Sequence, residues 1–219
     1  MKELNQYIDH TLLKANATEA DIKKLCSEAK EYNFYAVCVN SRFVPLCKQE
    51  LSDSDVKIAS VIGFPLGAMA TEVKAFETEY AAKNGANEID MVLEVGMMKS
   101  GDTKAVFDDI KAVALAAAKY NAIVKVILET GELSDEEIVT ACKLSEEAGA
   151  KFVKTSTGFG VGGATVHHVE LMRKSVSDAM MVKASGGIRD KQTALDMIEA
   201  GADRIGASAG IAICSKHEI

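Results

Sequence analysis

Two short runs of this chain each place a lysine in the middle of an apolar, strand-like stretch that ends in glycines. They are Phe152-Val153-Lys154-Thr155-Ser156-Thr157-Gly158-Phe159-Gly160 and Met180-Met181-Val182-Lys183-Ala184-Ser185-Gly186-Gly187. A free lysine has a pKa near ~10.4, so under ~0.1% is neutral and nucleophilic at pH 7. Burial and a nearby ammonium both disfavour the charged form. Neighbouring strands lie about 4.8 Å apart, so Lys183 can come close enough to depress the pKa of Lys154. The chemistry this favours is attack of the Lys154 amine on a carbonyl, giving a Schiff base. Lys125, in Ile123-Val124-Lys125-Val126-Ile127-Leu128, is a third lysine after a strand valine. The competing reading is that all three keep their charge, with buried stems, and pair with Asp90, Glu94 and Glu129.

Asp90, in Glu88-Ile89-Asp90-Met91-Val92, faces the same way as these lysines if side chains alternate along the strand. It can shuttle protons during carbinolamine and enamine formation, or serve as a counter-ion, and the two roles are compatible. Gly158-Phe159-Gly160, Gly186-Gly187 and Gly206-Ala207-Ser208 follow strand-like runs, where glycines let backbone N–H groups approach an anion. That pattern suits a phosphate at the end of the molecule where the strands finish. The histidines His10, His167, His168 and His217 form no spaced metal set, and the adjacent pair is expected to diverge on its helix toward the surface. No Walker A motif or dinucleotide fingerprint occurs.

The elements that must position these groups alternate along the whole chain. Helices are expected over about 19–31, 42–51, 71–84, 102–119, 135–148, 165–174 and 191–200, with strands between them at 35–39, 56–62, 88–93, 123–128, 152–155, 180–185 and 203–208. Thr18, Ser134 and Asp190 are the N-cap candidates, and Ser134 with Glu137 reads as a capping box. In the 71–84 helix, Val73, Phe76, Tyr80 and Ala81 form the expected buried stripe. Near-continuous apolar strands separated by helices mark a parallel sheet covered on its faces. Eight such units without a break favour a closed barrel over an open doubly wound sheet. The first strand, Tyr7-Ile8-Asp9-His10-Thr11, is short and weakly marked.

The 219 residues suffice for one substantial core, so the expectation is a single catalytic domain over 1–219. With 25 basic and 32 acidic residues the net charge is −7, which argues against a non-specific nucleic-acid or anionic-membrane surface. The five cysteines form no CxxC pair and are odd in number, which disfavours a disulfide framework or thiolate zinc cage and fits a cytoplasmic location. The N-terminus lacks an apolar signal core, and no run approaches a membrane span.

Taken together, these stretches resemble the deoxyribose-phosphate aldolase family. The resemblance rests on Tyr7 to Leu13, Val61-Ile62-Gly63-Phe64-Pro65-Leu66-Gly67, Glu88 to Val92, Lys125-Val126-Ile127-Leu128-Glu129-Thr130, Phe152 to Phe159, Lys183 to Arg189 and Arg204 to Ser208. It implies a (β/α)8 TIM barrel and a class I, cofactor- and metal-free cleavage of 2-deoxy-D-ribose 5-phosphate to acetaldehyde and D-glyceraldehyde 3-phosphate. The alternatives are another class I sugar-phosphate aldolase and a non-catalytic sugar-phosphate-binding barrel. The resemblance assigns the Schiff base to Lys154, the second catalytic lysine to Lys183 and the proton relay to Asp90. Lys125 becomes a supporting lysine, and Asp9, Thr11 and Thr157 fall near the substrate hydroxyls. Gly158, Gly186, Gly187, Arg189, Gly206 and Ser208 become the phosphate site. The implied partners are the sugar phosphate and aldehydes, with a homo-oligomer possible. Many members have asparagine at Glu94 and Ser-Thr at Gly160-Val161, so an added carboxylate near strand four is expected to alter the cavity charge. The tail from Cys214 to Ile219 lacks the tyrosine that closes over the site in some members.

Overall fold

The computed structural model describes residues 2–215. Eight parallel strands close into a barrel in chain order: β1 (Ile8–Leu12), β2 (Ala36–Asn40), β3 (Lys57–Ile62), β4 (Glu88–Val92), β5 (Ile123–Ile127), β6 (Phe152–Lys154), β7 (Met181–Ser185) and β8 (Arg204–Ala207). Closure pairs Asp9 of β1 with Gly206 of β8 and leaves no open sheet edge. The helices are α1 (Glu19–Glu31), α2 (Val44–Glu50), α3 (Thr71–Lys83), α4 (Val95–Lys99), α5 (Thr103–Ala118), α6 (Asp135–Ala148), α7 (Val166–Ser175), α8 (Lys191–Glu199) and α9 (Gly210–Cys214). The architecture is the (β/α)8 barrel, with the short first strand in place. The tail residues 216–219, including His217, lie outside the described residues.

Caps set where each strand-to-helix loop stops, and so shape the face at the strand C-termini. Thr18 and Ser134 each accept from the backbone N–H three residues on, and in both cases the N3 carboxylate returns the bond, completing a capping box. Asp190 accepts from the Thr193 N–H at 2.9 Å. The short helices α4 and α9 carry no periodic stripe long enough to mark them in the sequence. Glu94 caps α4 by accepting from the Met97 N–H at 2.6 Å.

Alternation of side chains along the strands divides the core in two. Residues such as Val37, Ile58, Ile89, Val126, Val153 and Val182 point outward and pack against the helices in one large apolar layer. Inside the barrel, the β1–β3 side carries a small apolar cluster of Leu13, Cys38, Ala59 and Val61 with Phe64 against it. Seven other inward positions, Asp9, Glu88, Asp90, Lys125, Lys154, Lys183 and Arg204, are ionisable and buried.

On α3 the expected stripe is wrong. Ala81 is buried, but Val73, Phe76 and Tyr80 are 54%, 73% and 44% exposed, while Lys74, Thr78, Ala81 and Ala82 face inward. The reason is electrostatic. The Lys74 ammonium reaches the Asp109 carboxylate of α5 at 2.6 Å and the Val92 carbonyl at 3.1 Å, with both side chains sealed from water. Thr71 donates to the other Asp109 oxygen at 2.8 Å. This rotates α3 so that its lysine, not its aromatic residues, meets the end of β4.

Breaking this pair on one side leaves an unpaired buried charge. Lys74→Ala or Asp109→Ala is therefore expected to lower unfolding free energy in urea by about 3–5 kcal/mol. The Lys74→Met, Asp109→Leu double variant should lose less than either single one.

Candidate active site

The inward positions of β4 to β8 and β1 form one connected ion network. Lys154 Nζ lies 2.9 Å from Asp90 Oδ2, and Lys183 Nζ lies 2.8 Å from the same oxygen. Lys183 also reaches Asp9 at 2.5 Å. Lys125 sits 2.8 Å from Asp90 Oδ1, 2.5 Å from Glu88 and 3.5 Å from Asp9. Arg204 closes the ring, donating to Asp9 through Nε at 2.9 Å and to Glu88 through Nη2 at 2.9 Å, with its guanidinium over the Tyr35 ring at 3.6 Å. Strand register explains the meeting: Asp90 is paired with Lys125, Lys154 with Lys183, and Lys183 with Arg204.

Four cations thus share three carboxylates, leaving one positive charge too many in a space closed to water. An uncompensated buried charge is costly, and the group that loses its proton most readily is the one with fewest counter-ions. Lys125, Lys183 and Arg204 each touch two or more carboxylates, whereas Lys154 touches only Asp90 among the described residues. Burial and the Lys183 charge accordingly pull the Lys154 pKa down against the opposing pull of Asp90. Burial also works against charge on Lys183 and Lys125, but in both the facing carboxylates win and the pKa is raised. Asp90 is held well below the usual carboxylate range, its burial outweighed by Lys125, Lys154 and Lys183. Cys38, 0% exposed on β2, has its thiol pKa pushed up by burial, which makes it a packing residue rather than a nucleophile.

Above the network opens a cavity of about 280 Å³ at the C-terminal ends of the strands. Lys154 lines it; Lys125, Lys183 and Asp90 lie beneath its floor. Thr11, Thr157, Gly158, Gly186, Gly187, Arg189, Gly206 and Ser208 are all on its wall. Gly186 and Gly187 have φ of 88° and 80°, a left-handed pair that turns successive backbone groups in the loop after β7. Gly206 serves a second purpose: a Cβ there would lie 3.0 Å from Lys183 Cε, so its bare backbone makes room for the lysine.

Asp9 is wholly buried and tied to Arg204, Lys183 and Lys125, and it is not among the residues that line the cavity. Thr11 lines the cavity while its hydroxyl donates to the Asp9 carbonyl at 2.8 Å. Thr157 is held by Glu129, which accepts from its hydroxyl at 2.5 Å and from its N–H at 3.2 Å. Glu129 is buried in a left-handed backbone conformation, φ 56°, and anchors the loop that carries Gly158. Sequence reasoning gave no role to Arg204, Glu88 or Lys14. The first two share strand parity with Gly206 and Asp90, the signal that identifies an inward charge. Lys14 lines the cavity just past the end of β1.

Because the Lys183 charge helps depress Lys154, Lys183→Met should raise the Lys154 pKa. Its amine reactivity, followed by mass-spectrometric mapping of a carbonyl reagent as a function of pH, should appear only at higher pH than in the parent chain. An unshifted profile would remove Lys183 from that role.

Residues 4–216 match the model of the DeoC/LacD family aldolases. The chain is 57% identical over 213 residues to a deoxyribose-phosphate aldolase of Carboxydothermus hydrogenoformans, covering 96% of this chain and 93% of that one. It is also 57% identical over 216 residues to the deoxyribose-phosphate aldolase of Clostridium tetani, covering 99% and 100% of the two chains. Among solved structures, the tetrameric deoxyribose phosphate aldolase of Aeropyrum pernix superposes with a TM-score of 0.91 at 35% identity, covering 96% of this chain and 89% of that one. A closed eight-stranded barrel with a lysine opening onto its upper cavity, and full-length similarity to these aldolases, place the chain in the DeoC/LacD aldolase family.

Proposed function

We propose that this class I aldolase, a deoxyribose-phosphate aldolase, reversibly cleaves 2-deoxy-D-ribose 5-phosphate to acetaldehyde and D-glyceraldehyde 3-phosphate through a Schiff base on Lys154. The observation that carries the mechanism is that Lys154, alone of the three strand lysines, opens onto the cavity, and it is the one with a lowered pKa.

In the cleavage direction, the neutral Lys154 amine attacks C1 of the open-chain sugar phosphate to form a carbinolamine. Loss of water gives a protonated imine, which withdraws electrons from C2. Removal of the C3 hydroxyl proton turns that oxygen into the carbonyl of glyceraldehyde 3-phosphate as the C2–C3 bond breaks, and its electron pair flows into the imine to leave an enamine. Protonation of the enamine at C2 and hydrolysis of the new imine release acetaldehyde and restore the amine. Asp90, bonded to both Lys154 and Lys183, is the centre of the proton relay, reaching the substrate through water. Lys183 and Lys125 keep their charge and hold Lys154 and Asp90 in place. The phosphate is bound by the turns at Gly158, Gly186, Gly187 and Gly206 to Ser208, with Arg189 as its cation. Binding at that remote end aligns C1 with the amine.

The same reading places the enzyme in the cytoplasm as a single catalytic domain and a homo-oligomer. The exposed Val73, Phe76 and Tyr80 of α3 support a self-association surface, as does the tetrameric relative. Phe76→Glu should shift the sedimentation coefficient toward that of a monomer.

Borohydride reduction during turnover should leave an ethyl group on Lys154 alone, and Lys154→Met should show neither the adduct nor acetaldehyde release. An adduct on another lysine, or turnover in that variant, would sink the assignment. Arg189→Met should lower kcat/KM for the phosphorylated sugar by roughly 10- to 100-fold while leaving that for 2-deoxyribose little changed.

A further inference from the structure

Among the described residues, one group of side chains outside the barrel interior offers ligands to a metal ion. Asp135 is the first residue of α6, and His167 and His168 are the second and third residues of α7. One ligand atom from each lies within 4.8 Å of the other two. His167 Nε2 is already 2.8 Å from Asp135 Oδ2, and the two imidazole rings are 5.5 Å apart. The adjacent histidines therefore converge on one carboxylate instead of diverging, because α6 and α7 start side by side on the barrel face that carries the active site. A second observation is independent of this clustering: His168 Nδ1 is shielded from water and has no hydrogen-bond partner. A buried imidazole nitrogen without a partner is unusual, and a cation is one partner that would satisfy it.

We propose that Asp135, His167 and His168 form a binding site for a divalent transition metal of the zinc type. Two imidazoles and a carboxylate suit Zn²⁺, Co²⁺ or Ni²⁺ and disfavour Mg²⁺ and Ca²⁺, which prefer all-oxygen sets. Zinc holds nitrogen and oxygen at about 2.0–2.2 Å, so the three ligand atoms must draw together from their present spacing. The exposed side chains of Asp135 and His167 have room to do so, at 50% and 64% accessible. The positive ends of α6 and α7 oppose a cation, but Asp135, Glu136 and Glu137 fill the first turn of α6 and reverse the local sign.

The position gives such an ion a structural consequence. The loop from 155 to 165 runs from Lys154 to the start of α7 and carries Thr157, Gly158 and Phe159 of the cavity wall. Thr165, the N-cap of α7, accepts from the His168 N–H at 3.1 Å. A metal joining α6 to α7 at this point fastens the exit of that loop and narrows its motion without touching the reacting atoms.

The test is calorimetric titration of the full, tag-free chain with Zn²⁺, repeated with Co²⁺ while recording its visible spectrum. The expected result is one ion per chain, a cobalt spectrum free of thiolate charge transfer, and at least about tenfold weaker binding in both His167→Ala and His168→Ala. Zinc should also raise the thermal midpoint and slow amide exchange over 155–165 in the parent chain, and do neither in the variants. His167→Ala is the cleaner variant, since its ring is exposed and its loss does not disturb packing. Absence of binding in the parent chain, undiminished binding in the variants, or a thiolate–cobalt band would each overturn the proposal.

Discussion

One excess positive charge among the buried side chains of the barrel is the constraint on which the rest of the structure depends. Asp9, Glu88 and Asp90 face Lys125, Lys154, Lys183 and Arg204, and every one of these side chains is buried. With all of them ionised the interior would be left cationic. The lysine with the fewest carboxylates around it is also the one that lines the cavity. In the proposed mechanism the nucleophile is thus prepared by the whole ring of charges, and Lys125 and Arg204 contribute to it although neither meets the cavity.

Such a ring is tolerable only because the rest of the fold over-determines it. The outer apolar layer between strands and helices carries the stability, leaving the inner surface free to be polar. Within the barrel, Cys38, Ala59 and Val61 supply a small apolar wall opposite the lysines, which keeps water out without crowding them. Gly206 leaves the passage through which Lys183 extends. The buried Lys74–Asp109 pair holds α3 and α5 against the end of β4, the strand that carries Asp90. Charge pairing outside the barrel therefore supports charge pairing within it.

In the proposed mechanism the cavity separates binding from chemistry. Glycine turns after β6 and β7, Gly206 of β8 and the Arg189 cation lie on the wall, while the lysine opens from the floor. Glu129 holds the first of these turns by taking both the hydroxyl and the N–H of Thr157. A carboxylate placed under that turn orders a loop that has no strand pairing of its own.

Much of this was legible in the residues. Alternating apolar runs and helical stripes revealed eight βα units; Thr18, Ser134 and Asp190 announced three helix starts; strand parity put Asp90, Lys125, Lys154 and Lys183 on one side of the sheet. The glycines past β6, β7 and β8 marked the cavity wall. These features are local: they follow from the side-chain period of a strand or helix and from what a cap or turn demands of its neighbours. The tertiary structure alone decided that Lys154 is the buried strand lysine with the fewest carboxylates around it, that Asp9 lies in the charge ring, and that Glu94 caps α4. It also turned Lys74 inward in place of Phe76, and brought Asp135 to His167 and His168. Each of these depends on which charges from distant parts of the chain come within a few ångströms of one another, and that sum exists only once the barrel has closed.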